Sequence, residues 1–560
     1  EGRDLYTGEV KRRFATDPLF SVAHHHRCYR NKATDRYILL GRTGIELIDL
    51  ADGELMRNCW VRGACQYGVM PANGLLYAPP HSCACYIQSK LSGLWALAPK
   101  RDPESGSAQS LQTERLEPGA ARSAADVAAL DPANSTSTWP TLRGDMARSG
   151  RTNESVSTNL KCDWQTPLGG KLSSPVISGG KLLVAAVDQH AIHALDAATG
   201  ARGWTFTAGG RIDSPPTIAG SLAVFGCADG YVYCLRLDSG ELAWRFRAAP
   251  VDRRTVAFGQ VESLWPVTGT PLVRSGTVYC TAGRSSFLDG GMVLCRLDLQ
   301  TGKLLGETRF DDRDPNSGMQ REETVNDVEL PGALPDVLVD DGQYIYLRDK
   351  VLDYDGMEQD LHLPHLYSSA GLLDDQWWHR TSWLWGERNW GRASGWSVMP
   401  GIRPSGRILV TDEATVFGYG RKNVQGNTLK GYHLFRADKQ VKELNQKLKN
   451  NNVALAELQK PAKVVYHWSR EVPLLARGMA LTPDTVFAAG PIMEPADVGV
   501  NEPTFDGDSP SVLMAFSADD GRELASFPID SQPVFDGLAL AYGKVYMATV
   551  DGSIVCWAAR

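Results

Sequence analysis

The stretch Gly180-Lys-Leu-Leu-Val-Ala-Ala186, followed by Ala191-Ile-His-Ala-Leu-Asp-Ala-Ala-Thr-Gly200, decides the fold of this chain. Two short apolar runs are separated by turns, and the second run ends in Asp-x-x-Thr-Gly, which is typical of a strand that enters a tight turn. Related phrases recur at Leu237-Asp-Ser-Gly240, Asp298-Leu-Gln-Thr-Gly302 and Ala518-Asp-Asp-Gly521. A period of roughly 40 residues, built of short strands and Gly turns, predicts a β-propeller.

The repeat predicts an all-β chain of four-stranded antiparallel blades. We expect eight blades, with seven and nine as the alternatives because residues 335–400 are irregular. The C-terminal strands, between Phe535 and Ala559, stop where the next Asp-x-x-Thr-Gly turn should follow. The chain begins with that phrase, Asp4-Leu-Tyr-Thr-Gly8. The N-terminal strand is therefore predicted to complete the C-terminal blade and to close the ring, which removes its exposed edges.

Two segments do not follow the repeat. Residues 101–136 are rich in Ala, Ser, Pro and Glu and are predicted to be a surface insertion or linker. Residues 437–462 carry Val441, Leu444 and Leu448 at a spacing that favours a helical insertion. The whole chain, 1–560, is otherwise expected to be a single propeller.

Composition excludes two classes of partner. The net charge is −7 and no block of basic residues is present, so we expect no nucleic-acid partner. No run of apolar residues is long enough for a transmembrane segment. The sequence begins at Glu1 without Met, from which we expect a processed or truncated product.

The eleven cysteines fall into two groups. Five of them occupy repeated strand positions and are predicted to be small packing residues: Cys227, Cys234, Cys280, Cys295 and Cys556. The remaining six are Cys28, Cys59, Cys65, Cys83, Cys85 and Cys162. Five of these six lie within residues 28–85. The repeat does not explain this clustering.

The repeats, together with Trp139-Pro-Thr-Leu-Arg-Gly-Asp-Met-Ala-Arg-Ser-Gly150, resemble the pyrroloquinoline-quinone-like (PQQ-like) β-propeller superfamily. This superfamily includes quinoprotein alcohol dehydrogenases and the propeller lipoprotein of outer-membrane protein assembly. His26–Thr34 and Trp60–Gly68 also resemble large members typical of planctomycete-like bacteria. The dehydrogenases place adjacent cysteines beside the quinone, whereas this chain has no Cys-Cys pair, and Cys83-Ala-Cys85 is one residue too long. The resemblance therefore implies the fold, and PQQ is not expected.

The candidate catalytic residues lie near the N-terminus, where the repeat is broken. Equivalent turns of a propeller converge on one end of its channel, so residues from successive blades can meet. An Arg can bind a carboxylate through two hydrogen bonds, and His and Tyr can act as base and acid. These roles fit β-elimination on a uronate-containing polysaccharide. The catalytic candidates are His24, His26, Arg27, Tyr29, Arg62 and Tyr67, and Lys32 is a substrate-binding candidate.

The same region supports two other interpretations. His81, Cys83, Cys85 and Cys28 could bind a divalent metal such as zinc, calcium or copper, although their spacing matches no strong zinc pattern. Alternatively, the cysteines could form disulfides outside the cytoplasm while Arg and His bind backbone carbonyls.

A second candidate site is rich in tryptophan. The apolar face and polar edge of Trp suit a carbohydrate ring, so this segment is predicted to bind sugar. The alternative is that these Trp residues pack between blades, as we expect of Trp204 and Trp244. The candidate substrate-binding residues are Trp377, Trp378, His379, Arg380, Trp383 and Trp385.

We therefore expect a periplasmic or secreted propeller that acts on an acidic polysaccharide, as a lyase if it is an enzyme. One alternative is a non-catalytic protein-binding or assembly scaffold, and another is a quinone-dependent dehydrogenase. The expected partner is accordingly a carbohydrate substrate or a protein. An enzyme should show a cleft where Arg27, Arg62, His26 and Tyr67 converge.

Overall fold

Most of the repeat region is described by the computed structural model, together with parts of the N-terminal region. The described residues are 1–15, 30–41, 44–58, 60–79, 91, 93–99, 114–121, 137–316, 332–368, 383–387, 403–421, 432–440, 442–443, 462–493 and 509–560. In these residues the structure is all β, apart from one 3₁₀ turn at Val187–Gln189. No helix in this part of the chain is long and apolar enough to cross a membrane.

The N-terminal region forms small sheets. Its strands, β1 to β9, are Gly2–Arg3, Val10–Arg12, Lys32–Ala33, Tyr37–Leu40, Ile45–Asp49, Leu55–Asn58, Met70–Ala72, Leu75–Ala78 and Trp95–Leu97. Strands β1 and β2 pair with each other, β3 to β6 form a four-stranded sheet, and β7 to β9 form a three-stranded sheet. The two larger sheets pack on a hydrophobic core of their own that includes Leu39, Ile45 and Val61.

The remaining strands build a succession of antiparallel sheets. Strands β10 to β25 are Leu116–Pro118, Leu160–Pro167, Val176–Ser178, Lys181–Ala186, Ala191–Asp196, Arg202–Thr207, Thr217–Ala219, Leu222–Gly226, Tyr231–Arg236, Leu242–Arg247, Arg254–Ala257, Gln260–Ser263, Leu272–Arg274, Thr277–Ala282, Met292–Asp298 and Leu304–Phe310. Strands β26 to β45 are Val339–Asp340, Ile345–Leu347, Lys350–Leu352, Glu358–Gln359, His365–Ser368, Trp383–Gly386, Ser405–Gly406, Ile408–Thr411, Thr415–Arg421, Tyr432–Asp438, Lys442–Glu443, Ala462–Lys463, Tyr466–Arg470, Gly478–Leu481, Thr485–Pro491, Ser511–Ser517, Glu523–Ile529, Pro533–Ala541, Lys544–Thr549 and Ser553–Ala559.

These strands form sheets that we number 1 to 8 in chain order. Sheets 1 to 4 are β12–β15, β16–β19, β22–β25 and β26–β29, and sheet 5 is β30–β32. Sheet 6 is β33–β35 with β38, sheet 7 is β39–β42, and sheet 8 is β43–β45 with β11. The first strands contact each other between sheets 1 and 2, 2 and 3, 6 and 7, and 7 and 8, and β43 of sheet 8 also contacts β12 of sheet 1. Strand β33 of sheet 6 contacts β31 and β32 of sheet 5. This arrangement of antiparallel sheets is that of a β-propeller, as the repeat predicted, while the number of blades stays a prediction.

The strand that completes the last sheet is not the predicted one. Strand β11 pairs with β45 from Leu160 opposite Ala559 to Pro167 opposite Ser553, whereas β1 pairs with β2. The N-terminal phrase therefore does not complete the C-terminal sheet. The physical reason is length, because an eight-residue strand satisfies the whole edge of β45 and the short N-terminal strands cannot.

The Asp-x-x-Thr-Gly turns are structural, as predicted. Asp196 Oδ1 accepts hydrogen bonds from the backbone N–H groups of Ala198 at 3.1 Å and Thr199 at 2.9 Å. The turn glycine has positive φ and lies against a Trp ring from the fourth strand of the preceding sheet. The glycine and tryptophan pairs are Gly200 with Trp164, Gly240 with Trp204, Gly302 with Trp244, and Gly521 with Trp468. One motif thus forms the turn and docks the neighbouring sheet onto it.

The two predicted insertions are partly described. Of residues 101–136, Leu116–Pro118 pairs with β19 and becomes a fifth strand of sheet 2. The helix predicted for 437–462 is wrong at both ends, because 437–438 belong to β35 and 442–443 pair with 462–463. Residues 441 and 444–461, which include the three apolar positions of the predicted helix, lie outside the described residues. The five repeat cysteines are buried thiols within the sheets, which confirms their packing role.

Candidate functional site

A segment between β10 and β11 lies next to the first strands of several sheets. We call residues 137–152 the central segment. Trp139 exchanges backbone hydrogen bonds with Ile177 of sheet 1, and Pro140 accepts one from Ile218 of sheet 2. Its other backbone partners, in sheets 4, 6, 7 and 8, are Asp340, Thr411, Leu481 and Tyr542. The segment therefore satisfies backbone groups that the inner strands would otherwise leave unpaired.

Two glycines of the central segment permit this path. Gly144 has φ +89, and an added Cβ would lie 3.1 Å from the Trp139 ring. Gly150 has φ +71, and its Cβ would lie 2.6 Å from Cγ1 of Val410. A larger residue at either position would meet both a strained backbone and a packed neighbour.

Two arginines of the central segment, Arg143 and Arg148, are buried and bound. Arg143 Nη1 lies 2.6 Å from Asp536 Oδ1, and the guanidinium also donates to the carbonyl of Leu409. Its carbon Cζ lies 4.4 Å from the centroid of the Trp383 ring. Arg148 donates to the Leu338 carbonyl at 3.0 Å, and burial lowers the pKa of Arg148 to about 10. These contacts fix the central segment to sheets 4, 5, 6 and 8.

A cavity of about 330 Å³ adjoins the central segment. Its lining residues come from the connections that precede the first strands, from the start of β43, from the turns at Val187 and Val550, and from Leu142 of the central segment. Its polar lining residues include Asp213, Ser214, Arg477 and Asp536. Because these positions are equivalent in successive sheets, the repeat brings them together although they are distant in sequence.

The cavity wall formed by sheets 7 and 8 carries Arg477 and Asp536. Arg477 Nε donates to the Pro533 carbonyl at 2.8 Å, and the Arg477 carbonyl accepts from the N–H of Asp536 at 2.7 Å. Behind this wall, Arg407 lies 5.4 Å from the centroid of the Phe535 ring. Burial, with a contribution from the positive charge of Arg477, lowers the pKa of Arg407 to about 9. Asp536, on the same wall, is paired with Arg143.

The acidic side chain on the opposite wall is bound by another arginine. Arg211 Nε lies 2.6 Å from Asp213 Oδ1, and Arg211 Nη1 lies 3.1 Å from Glu262 Oε2. Burial raises the pKa of Glu262 above its usual value, although the positive charge of Arg211 opposes this rise. Asp213 therefore reaches the cavity as a member of an ion pair.

A hairpin contacts Arg211, the ion-pair partner of the cavity residue Asp213. We call strands β20 and β21, with the turn between them, the rim hairpin. Its apolar side chains are exposed, at 71% for Val256, 82% for Phe258 and 57% for Val261. Phe258 lies under the Arg211 guanidinium at 4.2 Å, and Gln260 Oε1 lies 2.7 Å from His190 Nε2. The hairpin is therefore attached to the cavity wall while its apolar face remains exposed.

The structure describes only part of the predicted catalytic site. His24, His26, Arg27, Tyr29 and the proposed metal ligands Cys28, His81, Cys83 and Cys85 lie outside the described residues. Lys32 Nζ lies 3.3 Å from the Tyr67 carbonyl. Arg62 is 1% exposed, whereas Tyr67 is 75% exposed. The described members are thus neighbours in a small sheet region, and the cleft itself stays a prediction. In the part of the chain that is described, no group of three or more metal-binding side chains occurs.

The predicted sugar platform is wrong for one of its members. Trp383 is completely buried, and Arg143 covers its ring, so the ring cannot stack on a sugar. Trp385 is partly buried, with Lys439 Nζ 4.2 Å from its ring centroid. Trp377, Trp378, His379 and Arg380 lie outside the described residues.

The cavity does not suit a stacked quinone. Trp139 and Trp383, the tryptophans next to the cavity's buried ion pair, are 1% and 0% exposed and do not line the cavity. Phe535 is the aromatic side chain in the described lining, and no adjacent cysteines exist in the sequence. These residues do not fit the PQQ arrangement that the superfamily name implies.

The sequence does not indicate the cavity, but one segment beside the cavity does stand out in it. The segment Trp139–Gly150 stands out by its resemblance to the PQQ-like superfamily, but the sequence assigns it no role. The cavity positions carry Ser-Ser-Pro175 and Asp-Ser-Pro215 in sheets 1 and 2, but Ala-Arg-Gly478 and Phe-Asp-Gly537 in sheets 7 and 8. This change from hydroxyl and proline residues to charged residues at an equivalent position could have indicated the site.

Comparison with known proteins supports the fold. A family model described as outer membrane protein assembly factor BamB matches residues 123–331. No curated protein sequence matches the chain. The sheet topology shows a β-propeller, and residues 123–331 are similar to this family.

Solved structures similar to this chain include enzymes and an assembly factor. A quinohemoprotein alcohol dehydrogenase from Comamonas testosteroni is 14% identical, with a TM-score of 0.46, over 75% of this chain and 80% of the other. A europium-containing methanol dehydrogenase is 11% identical, with a TM-score of 0.46, over 76% and 98%. BamB from Moraxella catarrhalis is 12% identical, with a TM-score of 0.31, over 71% and 97%.

Proposed function

We propose that this protein is a non-catalytic scaffold that binds other proteins outside the cytoplasm, in the periplasm or as a secreted protein. The observation that carries the proposal is the rim hairpin, which exposes Val256, Phe258 and Val261 beside a cavity. Exposed apolar side chains that are grouped on one face are typical of interaction surfaces. The family model, described as an outer membrane protein assembly factor, supports the same class of function.

The filled centre of the molecule also favours a scaffold. Backbone and side-chain hydrogen bonds of the central segment join it to six of the eight sheets. A scaffold benefits from such rigidity, because a surface that is already ordered loses less conformational entropy when it binds.

Site-specific photo-crosslinking tests the scaffold. A photo-reactive amino acid at position 261, introduced in the native host, should give discrete adducts with polypeptides. The matched control is position 305, since Leu305 is also exposed, at 51%, but lies on the outer strand of sheet 3. Equal adduct patterns at the two positions would contradict a binding role for the rim hairpin.

The lyase remains the principal enzymatic alternative, and the quinone-dependent dehydrogenase is the second. Incubation of the purified protein with uronate polysaccharides, followed by ultraviolet detection of unsaturated products, tests the lyase. Dye reduction with an alcohol after addition of PQQ and a divalent metal tests the dehydrogenase. Lyase turnover that is lost in an Arg62→Gln or Tyr67→Phe variant would overturn the scaffold proposal. Dehydrogenase turnover that is lost when PQQ is omitted would also overturn it.

A further inference from the structure

The side chains of the rim hairpin alternate in an unusual sense. An antiparallel sheet with one solvated face normally turns its apolar side chains inward and its polar ones outward. Here Gln260 and Glu262 face the molecule, where Glu262 Oε2 lies 3.1 Å from Arg211 Nη1. Val256 and Val261 lie opposite each other on the other face and are 71% and 57% exposed. A shift of one residue would turn the valines inward, so packing of the hairpin does not explain their exposure.

The turn of the hairpin carries an aromatic residue in a strained conformation. Phe258 has φ +51 and Gly259 has φ +72, and a type I′ turn of two residues requires positive φ at both positions. Positive φ is unfavourable for a bulky residue, and the Phe258 side chain gains little from burial because it is 82% exposed. Strain that brings no packing benefit is typical of functional sites.

The backbone of the hairpin determines which groups point outward. A two-residue turn closes on a hydrogen-bonded pair, which here is Ala257 opposite Gln260. Hydrogen-bonded and non-hydrogen-bonded pairs alternate along an antiparallel ladder, so the next pair, Val256 opposite Val261, is not hydrogen-bonded. The backbone N–H and C=O groups of both valines therefore point away from the hairpin, toward its two outer edges.

The two outer edges differ in what they contact. On the β21 edge, the N–H of Ser263 donates to the Ala228 carbonyl at 2.8 Å, so the molecule itself uses this edge. On the β20 edge, the outward backbone groups of Arg254 and Val256 have no hydrogen-bond partner among the residues that the structure describes. Strand β20 contains no proline and its pairing has no bulge, two devices that often protect an edge. The β20 edge is therefore open to a further strand.

The charge beside this edge is positive. Arg253 and Arg254 are both exposed at the start of β20. Within the described part of the chain, Arg254 is paired with Asp252 at 3.1 Å, and Arg253 forms no ion pair. Opposite charges on neighbouring strands stabilise their pairing, so an acidic residue on an incoming strand is favoured at this end.

We propose that the β20 edge is the docking site for a β-strand of a partner protein, which extends the rim hairpin to a three-stranded sheet. The main chain of the incoming strand bonds to the outward N–H and C=O groups of Val256. Its apolar side chains cover Val256 and Phe258, and an acidic side chain lies beside Arg253. Strand addition to an exposed edge is a general mode of peptide recognition. This inference rests on the proposed scaffold function and adds the form in which the partner binds.

Peptide selection followed by backbone methylation tests the inference. Random peptides displayed on phage are selected against the immobilised full-length protein, and an enriched peptide is synthesised with one backbone N–H at a time replaced by N-methyl. Successive N–H groups of a strand point to opposite edges, so we expect affinity to fall by about tenfold or more at every second residue and to change little at the residues between. The change is in the peptide, so it cannot unfold the protein.

Two variants at one position locate the site. Val256→Pro removes the outward N–H, which the hairpin itself does not use, and proline is tolerated at such edge positions. This variant should weaken binding of the peptide by about tenfold or more. The matched control is Val256→Thr, which keeps both the N–H and the branched shape and should weaken binding by less than about threefold. Circular dichroism checks that both variants are folded.

The possible outcomes separate the inference from the scaffold. An enriched peptide whose methylation scan shows no alternation, or that binds Val256→Pro as tightly as wild type, would overturn strand addition and leave a protein-binding scaffold. The absence of any enriched peptide, despite specific adducts at position 261, would overturn strand addition alone. No enriched peptide together with no specific adducts would overturn both proposals.

Discussion

Arg143 and Asp536 illustrate how single residues hold the centre of the molecule. Their ion pair is buried, with side-chain exposures of 2% and 8%, and burial raises the pKa of Asp536 despite the nearby Arg143 charge. Removal of one partner leaves an uncompensated buried charge and unsatisfied carbonyls. Replacement of Arg143 by Gln should therefore lower the free energy of unfolding by about 3–5 kcal/mol.

Chemical denaturation measures this effect. Arg254→Gln is the matched control, since Arg254 pairs with Asp252 at the surface, where side-chain exposures are 46% and 55%. The control should change the free energy of unfolding by less than about 1 kcal/mol. Similar stabilities of the two variants would contradict a structural role for the central segment.

The burial of Glu262 predicts how the stability of the protein depends on pH. Burial raises its folded-state pKa above that of the unfolded chain, so the folded protein binds this proton more tightly. Its contribution to stability is fully present below the unfolded-state pKa and is lost as pH rises through the folded-state pKa. Wild-type unfolding, compared with Glu262→Gln over the mildly acidic range, should show this extra loss with rising pH. Parallel curves for the two proteins would show that Glu262 does not titrate with a raised pKa.

At the scale of elements, the turn glycines join neighbouring sheets. Gly240 has φ +73, and a Cβ there would lie 2.4 Å from Cδ2 of Trp204. The Trp204 Nε1–H also donates to the Leu237 carbonyl of the same turn at 3.0 Å. Gly240→Ala should lower the thermal midpoint, through a loss of about 1–3 kcal/mol from backbone strain and displacement of the ring.

Calorimetry of two glycine variants separates docking from turn formation. Gly259→Ala is the control, because Gly259 also has positive φ, at +72, but nothing lies within 4 Å of its added Cβ. This control should cost only the backbone strain, so its midpoint should lie between those of wild type and Gly240→Ala. An equal loss in both variants would mean that contact with Trp204 contributes nothing.

The sequence predicted these elements well because their causes are local. Asp196, Thr199 and Gly200 interact within one turn, and Lys181–Ala186 pairs with the adjacent Ala191–Asp196. The pairing of β11 is not predictable in this way, because its partner, β45, lies at the C-terminal end of the chain and far from it in sequence. Nothing in the sequence of β11 identifies β45 as the strand with which it pairs.

At the scale of the whole molecule, the chain contains two regions with different cores. The N-terminal sheets pack on Leu39, Ile45 and Val61, whereas the central segment and β11 belong to the core of sheets 1, 7 and 8. We therefore expect a variant that lacks residues 1–136 to remain folded and monodisperse. A variant that lacks residues 1–167 should aggregate, because it loses both β11 and the central segment.

Circular dichroism and size-exclusion chromatography compare the two truncations. The variant without residues 1–136 loses β10 and the contact between Arg115 and Glu307, so we expect only a modest drop in its thermal midpoint. Aggregation of both variants would show that the N-terminal region is required for folding. A soluble variant without residues 1–167 would contradict the role given to β11 and the central segment.

The repeated Asp-x-x-Thr-Gly phrase determined the strands, the turns and the packing role of five cysteines without further information. Each of these depends on residues close in sequence or on a position that recurs in every repeat. The tertiary structure alone decided that β11 completes the last sheet, that Trp139–Gly150 joins the inner strands, and that Arg477 and Ser214 share a cavity. These features depend on unpaired backbone edges and buried charges finding partners across the whole chain, which no local pattern specifies.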